Sequence, residues 1–470
     1  MKVKKLTTKR KILYGSALIS IILLILVYLG LTVYFSNRFF FHTKINGIDV
    51  SQKTAVEAEQ LLAEETSAYA ITIKGRNDLL DTISAADIQL SYIANDTVKQ
   101  YVKKQNPFLW FISVFEYTEK EIKNCSSYDE ELFDKTVSAL CFFNKKNKVE
   151  PKNASIEYVA DQGFYIVNEK RGSTVKKKKL KEALKNAIEK GKTDFSIEKE
   201  ECYKEPEVTS TSEKLQSLFE KVCKYGNAKI TYTFGKKKEV VDASKIKDWL
   251  DIDVKKMTVK VKKDGVRTFV DYIASTYNTF GKTRSFRASS GKKVKVYGGD
   301  YGWLLDRDKE TTQLMKKIKK GEVCDKKPAY VQTAASHGKK DWGKTYVEVN
   351  LSRQHLWFYK KGKLIVESDF VSGNLSKNNG TPQGVYPVIY KKRNAILGAL
   401  SNASYRTPVS YWMPFNGGIG LHDAKWRSSF GGSIYKTNGS HGCVNLPPYV
   451  AAKIYAKISA GDAVLCYYES

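Results

Sequence analysis

Residues 439–447, GSHGCVNLP, set His441 and Cys443 on either side of Gly442, in a chain with only 5 histidines and 7 cysteines among 470 residues. A cysteine attacks as thiolate, and a free thiol with a pKa near ~8.5 is mostly protonated at neutral pH. A neighbouring imidazole can take that proton, and a third group can hold the imidazole in one tautomer. Glycine before the thiol lets the main chain approach a substrate closely. The Gly442 and Cys443 N–H groups could then serve as oxyanion donors, a contribution of roughly two to three orders of magnitude in rate. Two histidines are placed to act as the base. His441 is two residues from Cys443 and shares its face in an extended segment. His422 lies upstream in GLHDAKWR, with Asp423 beside it to orient it through carboxylate or carbonyl and Trp426 to shape a wall. His42, His337 and His355 lack such company, and the SHGK at Ser336–Lys339 puts lysine where the thiol would stand. Zinc on His422, His441 and Cys443 would have three protein ligands. No second cysteine or glutamate stands at a ligand spacing, so neither metal nor cofactor is expected.

The elements that must position these residues begin near Thr345. TYVEVNLSRQHLWFYKKGKLIVESDFVSGN alternates as strands do, broken by a KKGK hairpin signal, and TPQGVYPVIY adds a turn and another strand. Residues 345–470 therefore read as a mainly β domain. Upstream, a weak internal echo joins GFYIVNEKRGSTVKKKKLKEALKNAIEKGK from Gly163 to YGWLLDRDKETTQLMKKIKKGE from Tyr301, each a strand followed by a basic helix. The spacing predicts α+β modules over 41–207 and 208–337, with polar connectors near 204–213 and 333–344. Thr54 and Glu57 have the spacing of a capping box before an Ala55, Ala58, Leu61, Leu62 stripe. The lysines of 176–179 and Lys181 read as a solvated face, or as a surface for an anionic polymer. NPFLWFISVF, residues 106–115, reads as a buried segment of its module rather than a carbohydrate platform.

Residues 12–35 carry no charge, more than the ~20 residues a helix needs to cross a bilayer core. Lys2, Lys4, Lys5, Lys9, Arg10 and Lys11 precede them, within a basic tail 1–11 expected in the cytoplasm. The run is too long for a signal-peptide core, so the expectation is a single-pass anchor with everything after it outside the cell. A net charge of +29 suits polyanionic surroundings, and no nucleic-acid module is evident. Seven cysteines without a CxxC make no disulfide scaffold and leave at least one free thiol.

His422, then Ser440-His441-Gly442-Cys443-Val444-Asn445, resembles the active-site signature of bacterial L,D-transpeptidases. TPQGVY and the YWMPF…GIGLHDAKWR stretch resemble the same family over about 345–468, and much of 45–335 is similar to the peptidoglycan-binding modules that precede such domains. The resemblance implies a multidomain chain: a transmembrane helix, α+β wall-binding modules and a β-sandwich-like catalytic domain. It implies that Cys443 attacks the bond between the third residue of a tetrapeptide stem and its terminal D-alanine. His422 would be the base, Asp423 its orienting group, and Gly442 and Cys443 the oxyanion donors. Ser440, His441 and Asn445 would shape the loop, with Trp426, Tyr411 and Trp412 as pocket walls. A neighbouring stem's amine would then take the acyl group in a 3→3 cross-link. The partners implied are donor and acceptor stem peptides, with anionic wall polymers also possible. The alternatives are an L,D-carboxypeptidase or wall-peptide hydrolase using the same thiol, and a non-catalytic wall-binding protein.

Overall fold

The computed structural model describes residues 8–123, 125–398 and 406–469, so Lys2, Lys4 and Lys5 of the basic tail lie outside the described residues. The chain forms two compact units, Met1–Ser155 with Asn168–Ser210, and Ile156–Val167 with Thr211–Ser470.

In the first unit, helix α1 (Thr8–Tyr34) is 27 residues long, with Thr32 its one buried residue. It is the one helix among the described residues long and apolar enough to cross a membrane. Thr54 caps the helix Ala55–Ser67: Thr54 N–H donates to Glu57 Oε2 at 2.7 Å, and Glu57 N–H donates back to Thr54 Oγ1 at 3.2 Å. That helix buries Ala58 and Leu62 against Phe39, Ile45, Val50, Val98 and Val102. The reading of residues 106–115 as buried is overturned. Asn106 caps a 3-10 helix, Pro107–Val114, whose only fully buried residue is Ser113. The small core beside it is built from Phe39 and aliphatic side chains, and the aromatic segment lies outside it.

One sheet arrangement occurs twice. In the first unit the hairpin Ala70–Lys74 and Leu80–Ser84 is extended by Asp194–Ser196, parallel to the first hairpin strand and reached through the helix Lys177–Glu189. In the second unit the hairpin Lys229–Phe234 and Lys237–Val241 is extended by Val323–Lys326, reached through Arg307–Lys320. Lys185 of the first basic helix pairs with Glu130, and Lys181 with Asp134, so part of its charge is matched locally. The seven cysteines, all within the described residues, are free, and Cys202 and Cys466 are buried.

The C-terminal part of the second unit is a two-sheet sandwich. One sheet has β1 (Tyr346–Asn350), β2 (His355–Lys360), β3 (Lys363–Asp369), β4 (Gly384–Pro387) and β9 (Ala463–Tyr467), in the order β3-β2-β1-β9-β4. The other has β5 (Lys392–Leu397), β6 (Thr407–Asn416), β7 (Ile419–Asp423) and β8 (Val444–Leu446), in that order, with β7 and β8 parallel. Val347, Val349, Leu356 and Phe358 meet Met413, Phe415, Leu421, Val444 and Leu446 between the sheets, closed by Val450 and Ile454 of helix α2 (Pro448–Lys457).

Strand β9 is buried on both faces, which explains its unbroken apolar run. Val464 and Cys466 enter the sandwich core, whereas Ala463, Leu465 and Tyr467 meet Phe286, Val294, Val296 and Trp342 outside it. Those partners come from the hairpin Arg284–Arg287 and Lys293–Val296 and the segment beyond it. Val385 of β4 joins the same contact, donating to Gly298 O at 3.2 Å and accepting from Tyr301 N–H at 3.0 Å. A buried ion pair fastens this layer. Arg284 Nε and Nη2 grip Asp341 at 2.9 and 2.7 Å, and Nη2 also donates to Thr279 O and Tyr301 O.

Removing one partner of such a pair strands the other charge. Arg284→Ala should cost about 3–5 kcal/mol in chemical denaturation. Lys256→Ala, at the exposed pair with Asp253, should cost less than about 1 kcal/mol.

Candidate active site

Strand alternation and one parallel register assemble the site. Leu421 pairs with Val444 and His422 with Asn445 across β7 and β8. Leu421 and Val444 both point into the sandwich core. Their neighbours His422 and Cys443 therefore share the opposite face, because successive side chains alternate. On the other side of β7, Trp412 of β6 pairs with His422, and the two rings lie 5.9 Å apart. Cys443 packs against the Ala395, Val409 and Trp412 cluster on this same face. Trp426 sits 5.9 Å from His422 and is half exposed, so it borders the site from the solvent side.

The imidazole of His422 is almost fully buried, and its Nδ1 lies 2.9 Å from the main-chain carbonyl of Asp423. A carbonyl only accepts, so Nδ1 carries the proton and Nε2 presents its lone pair. Burial pushes this imidazole below its ordinary value; the Arg427 charge adds to the effect, and the Asp423 carbonyl and carboxylate oppose it. Burial also pushes the Cys443 thiol up, to about 11. Its S–H lies 3.6 Å from Gly418 O. Both shifts favour the uncharged forms, a thiol and a neutral imidazole on one sheet face.

Gly442 adopts φ +114°, a region L side chains avoid, and a Cβ there would lie 3.0 Å from Ile419 Cδ1. Gly420, next to Cys443 on the shared face, leaves room for Trp412, whose ring a Cβ would meet at 2.6 Å.

The loop before the thiol is held by a second loop after β3. Ser440 N–H donates to Ser372 O, and Asn374 N–H to Ser440 O, both at 2.9 Å. The buried Thr381 hydroxyl accepts from Gly373 N–H at 3.0 Å and donates to Gly442 O at 2.7 Å. Ser440 Oγ donates to Cys443 O at 2.5 Å and accepts from Gly442 N–H at 3.1 Å. Asn445 exchanges main-chain bonds with Val371, and its buried Oδ1 has no partner among the described residues.

The structure separates the expected residues into three groups. Cys443, His422 and Trp412 lie on one face, with Trp426 against His422 and Gly442 preceding the thiol in the chain. Asp423 meets His422 only through its carbonyl; its Oδ1 accepts from Tyr411 N–H at 2.8 Å. Tyr411 lies on the other face, packed on Tyr455 of α2 at 5.3 Å, since only one of two adjacent strand residues can face the thiol. His441 is exposed on the loop. Thr381 and the Ser372–Asn374 loop were not singled out from the sequence. Their signal was Thr381 heading TPQGVY and a polar SGN run directly after a strand pattern.

Residues 344–466 match the L,D-transpeptidase catalytic domain family. Residues 82–196 and 208–323 each match a peptidoglycan binding domain family. No curated protein matches the chain. Among solved structures, a mutant of Enterococcus faecium L,D-transpeptidase is 33% identical over 55% of this chain and 100% of its own, with a TM-score of 0.45. The catalytic domain of an E. faecium L,D-transpeptidase acylated by ertapenem is 42% identical over 27% of this chain and 98% of its own, with a TM-score of 0.25. An L,D-transpeptidase from Stackebrandtia nassauensis is 29% identical over 26% and 55%, with a TM-score of 0.22. With identity running across the whole of the first of these chains and a catalytic-domain match that encloses Cys443 and His422, this chain belongs to the L,D-transpeptidase family.

Proposed function

We propose that this protein forms 3→3 cross-links in peptidoglycan through an acyl-enzyme on Cys443, working outside the cell from an uncleaved anchor, α1, whose N-terminus is cytoplasmic. The observation that carries the chemistry is Cys443 and His422 on one sheet face, with Nδ1 of His422 committed to a carbonyl. Support for the anchor is a helix whose apolar side chains have almost no protein to cover them, preceded by Lys9, Arg10 and Lys11.

In the proposed reaction the Cys443 proton moves to His422 Nε2 as sulfur adds to the carbonyl of the stem's third residue. The Cys443 N–H is the oxyanion donor, because the Gly442 N–H is engaged by Ser440 Oγ. Collapse expels D-alanine, whose nitrogen takes the proton from His422, and leaves a thioester. The side-chain amine of a second stem adds to that thioester and passes its proton to His422. The new amide forms, and sulfur departs and recovers the proton. Starting from neutral partners spares the site a buried ion pair before substrate arrives. A thioester yields readily to an amine where water is kept out. The catalytic domain of an E. faecium relative is acylated by ertapenem, which supports an acyl-enzyme here, and the family match encloses Cys443.

The decisive experiment incubates the protein with tetrapeptide stems. Free D-alanine together with dimer is the expected result; free D-alanine with tripeptide alone would make it a carboxypeptidase. A carbapenem should add its mass to the intact wild-type chain and not to Cys443→Ala. His422→Ala should slow acylation by about 10³ or more, near the upper range for a general base. His441→Ala should keep a substantial part, and the reverse ranking would exchange the two histidines. Asp423→Asn retains both the carbonyl on Nδ1 and an acceptor for Tyr411 N–H, so it should lose less than about tenfold, roughly 1.4 kcal/mol.

The pH profile follows from the two shifts. Acylation requires His422 unprotonated, and its pKa is lowered, so the acid limb should fall below the ordinary 6.5. The rate should then stay level until the pH nears the thiol's value of about 11. A limb centred well above 6.5 would contradict this arrangement. Thr381→Val keeps the volume but leaves Gly373 N–H and Gly442 O without their partner. It should cost about 1–3 kcal/mol of stability in denaturant and slow acylation as the thiol loop loosens.

A further inference from the structure

The aromatic segment 106–117 has no part in this chemistry. One side of it is committed to α1. Tyr28 Oη donates to Phe108 O at 2.8 Å, and the Tyr28 ring lies 6.0 Å from Trp110 and 6.4 Å from Phe111. Phe35 stacks on Trp110 at 6.2 Å. Gln105 Nε2 donates to Arg38 O at 2.9 Å, tying the segment to the chain just beyond α1. The other side is bare. Phe108, Leu109, Phe111 and Val114 are exposed, Phe115 is 84% exposed and Tyr117 81%. Six large exposed apolar or aromatic side chains within ten residues, broken by the exposed Glu116 near the far end, mark a surface that a partner covers.

Depth along α1 identifies the partner. A hydrocarbon core of ~30 Å takes about 20 residues at ~1.5 Å each. Counted from Ile12, where charge ends, that core reaches about Leu31. Tyr28 then lies about 4–5 Å inside the outer boundary and Phe35 about 6 Å beyond it. A segment touching both residues straddles the interface, where amphipathic aromatic rings concentrate. Lys103 and Lys104, both exposed, come just before it.

We propose that Phe108, Leu109, Phe111, Val114, Phe115 and Tyr117 form a collar that inserts into the outer-leaflet interface of a phospholipid bilayer beside α1, with Lys103 and Lys104 on headgroup phosphates. The proposal rests on the reading of α1 as an anchor. Membrane is favoured over a glycan because the patch continues the apolar surface of α1. In addition, the exposed side chains from Phe108 to Phe115 bring no polar groups to bind sugar hydroxyls. A single spanning helix leaves the domain after it free to pivot; a second contact on the same leaflet removes that freedom.

The test uses the full chain in vesicles of phosphatidylglycerol and phosphatidylethanolamine, with photoreactive benzoylphenylalanine in place of Ile22, Phe111, Phe115 or Tyr272. Each of these side chains is exposed, and each variant is checked for an unchanged unfolding midpoint. Lipid adducts at 22, 111 and 115, and none at 272, are expected on mass analysis. Adducts at 22 alone would overturn the collar while leaving the anchor in place. Adducts at none of the four would overturn the anchor and the collar with it. Equal adducts at 272 would show nonspecific contact and also overturn the collar.

Discussion

The parallel pairing of β7 with β8 is the constraint from which the site follows. Its register sets Leu421 beside Val444 and His422 beside Asn445. Side chains alternate, so a slip of one residue would turn the Cys443 thiol into the sandwich core and expel Val444 from it. Apolar burial on the core face therefore also places the thiol on the other. The register is held from its far edge as well. Val371 exchanges main-chain bonds with Asn445, and the Thr381 hydroxyl joins Gly373 N–H to Gly442 O. The thiol loop is thus clamped between two sheets of bonds, although it contains no regular structure until Val444.

Burial is the largest electrostatic influence on both reacting groups. Burial disfavours both the thiolate and the imidazolium, raising one group and lowering the other. A preformed ion pair would need more than a carbonyl on Nδ1 to compensate its desolvation. The Asp423 carboxylate does not supply this, since it turns to Tyr411 N–H on the opposite face. Proton transfer in the proposed reaction then accompanies attack, and the oriented Nε2 lone pair matters more than a standing charge.

Upstream, the same three-strand arrangement recurs, each time with the closing strand reached through a basic helix. Inserted within the second copy, before its closing strand, is the hairpin Arg284–Arg287 and Lys293–Val296 that covers the outer face of β4 and β9, fastened by Arg284 and Asp341. One sheet of the sandwich is thus covered on its outer side at β4 and β9, and the thiol lies on the outer face of the other sheet.

Several features were legible in the sequence because their causes are local. The capping box at Thr54 and Glu57 needs only a three-residue spacing. The uncharged run through α1 needs only length, and the strand texture after Thr345 needs only alternation. Cys443, His422 and the glycine between His441 and Cys443 stand out in the sequence as a candidate site because their types are scarce and their spacing is chemical. Tertiary structure decided the rest. Which of Tyr411 and Trp412 faces the thiol depends on the register of β6 against β7, and either parity reads the same along the chain. That the Asp423 carbonyl, not its carboxylate, meets His422 follows from the strand's twist and pleat. Thr381 bridges Gly373 and Gly442 across a loop closure that no local pattern encodes. The aromatic run at 106–115 reads as core by composition, yet it packs on α1 outside the core of its module, a placement that only tertiary packing sets.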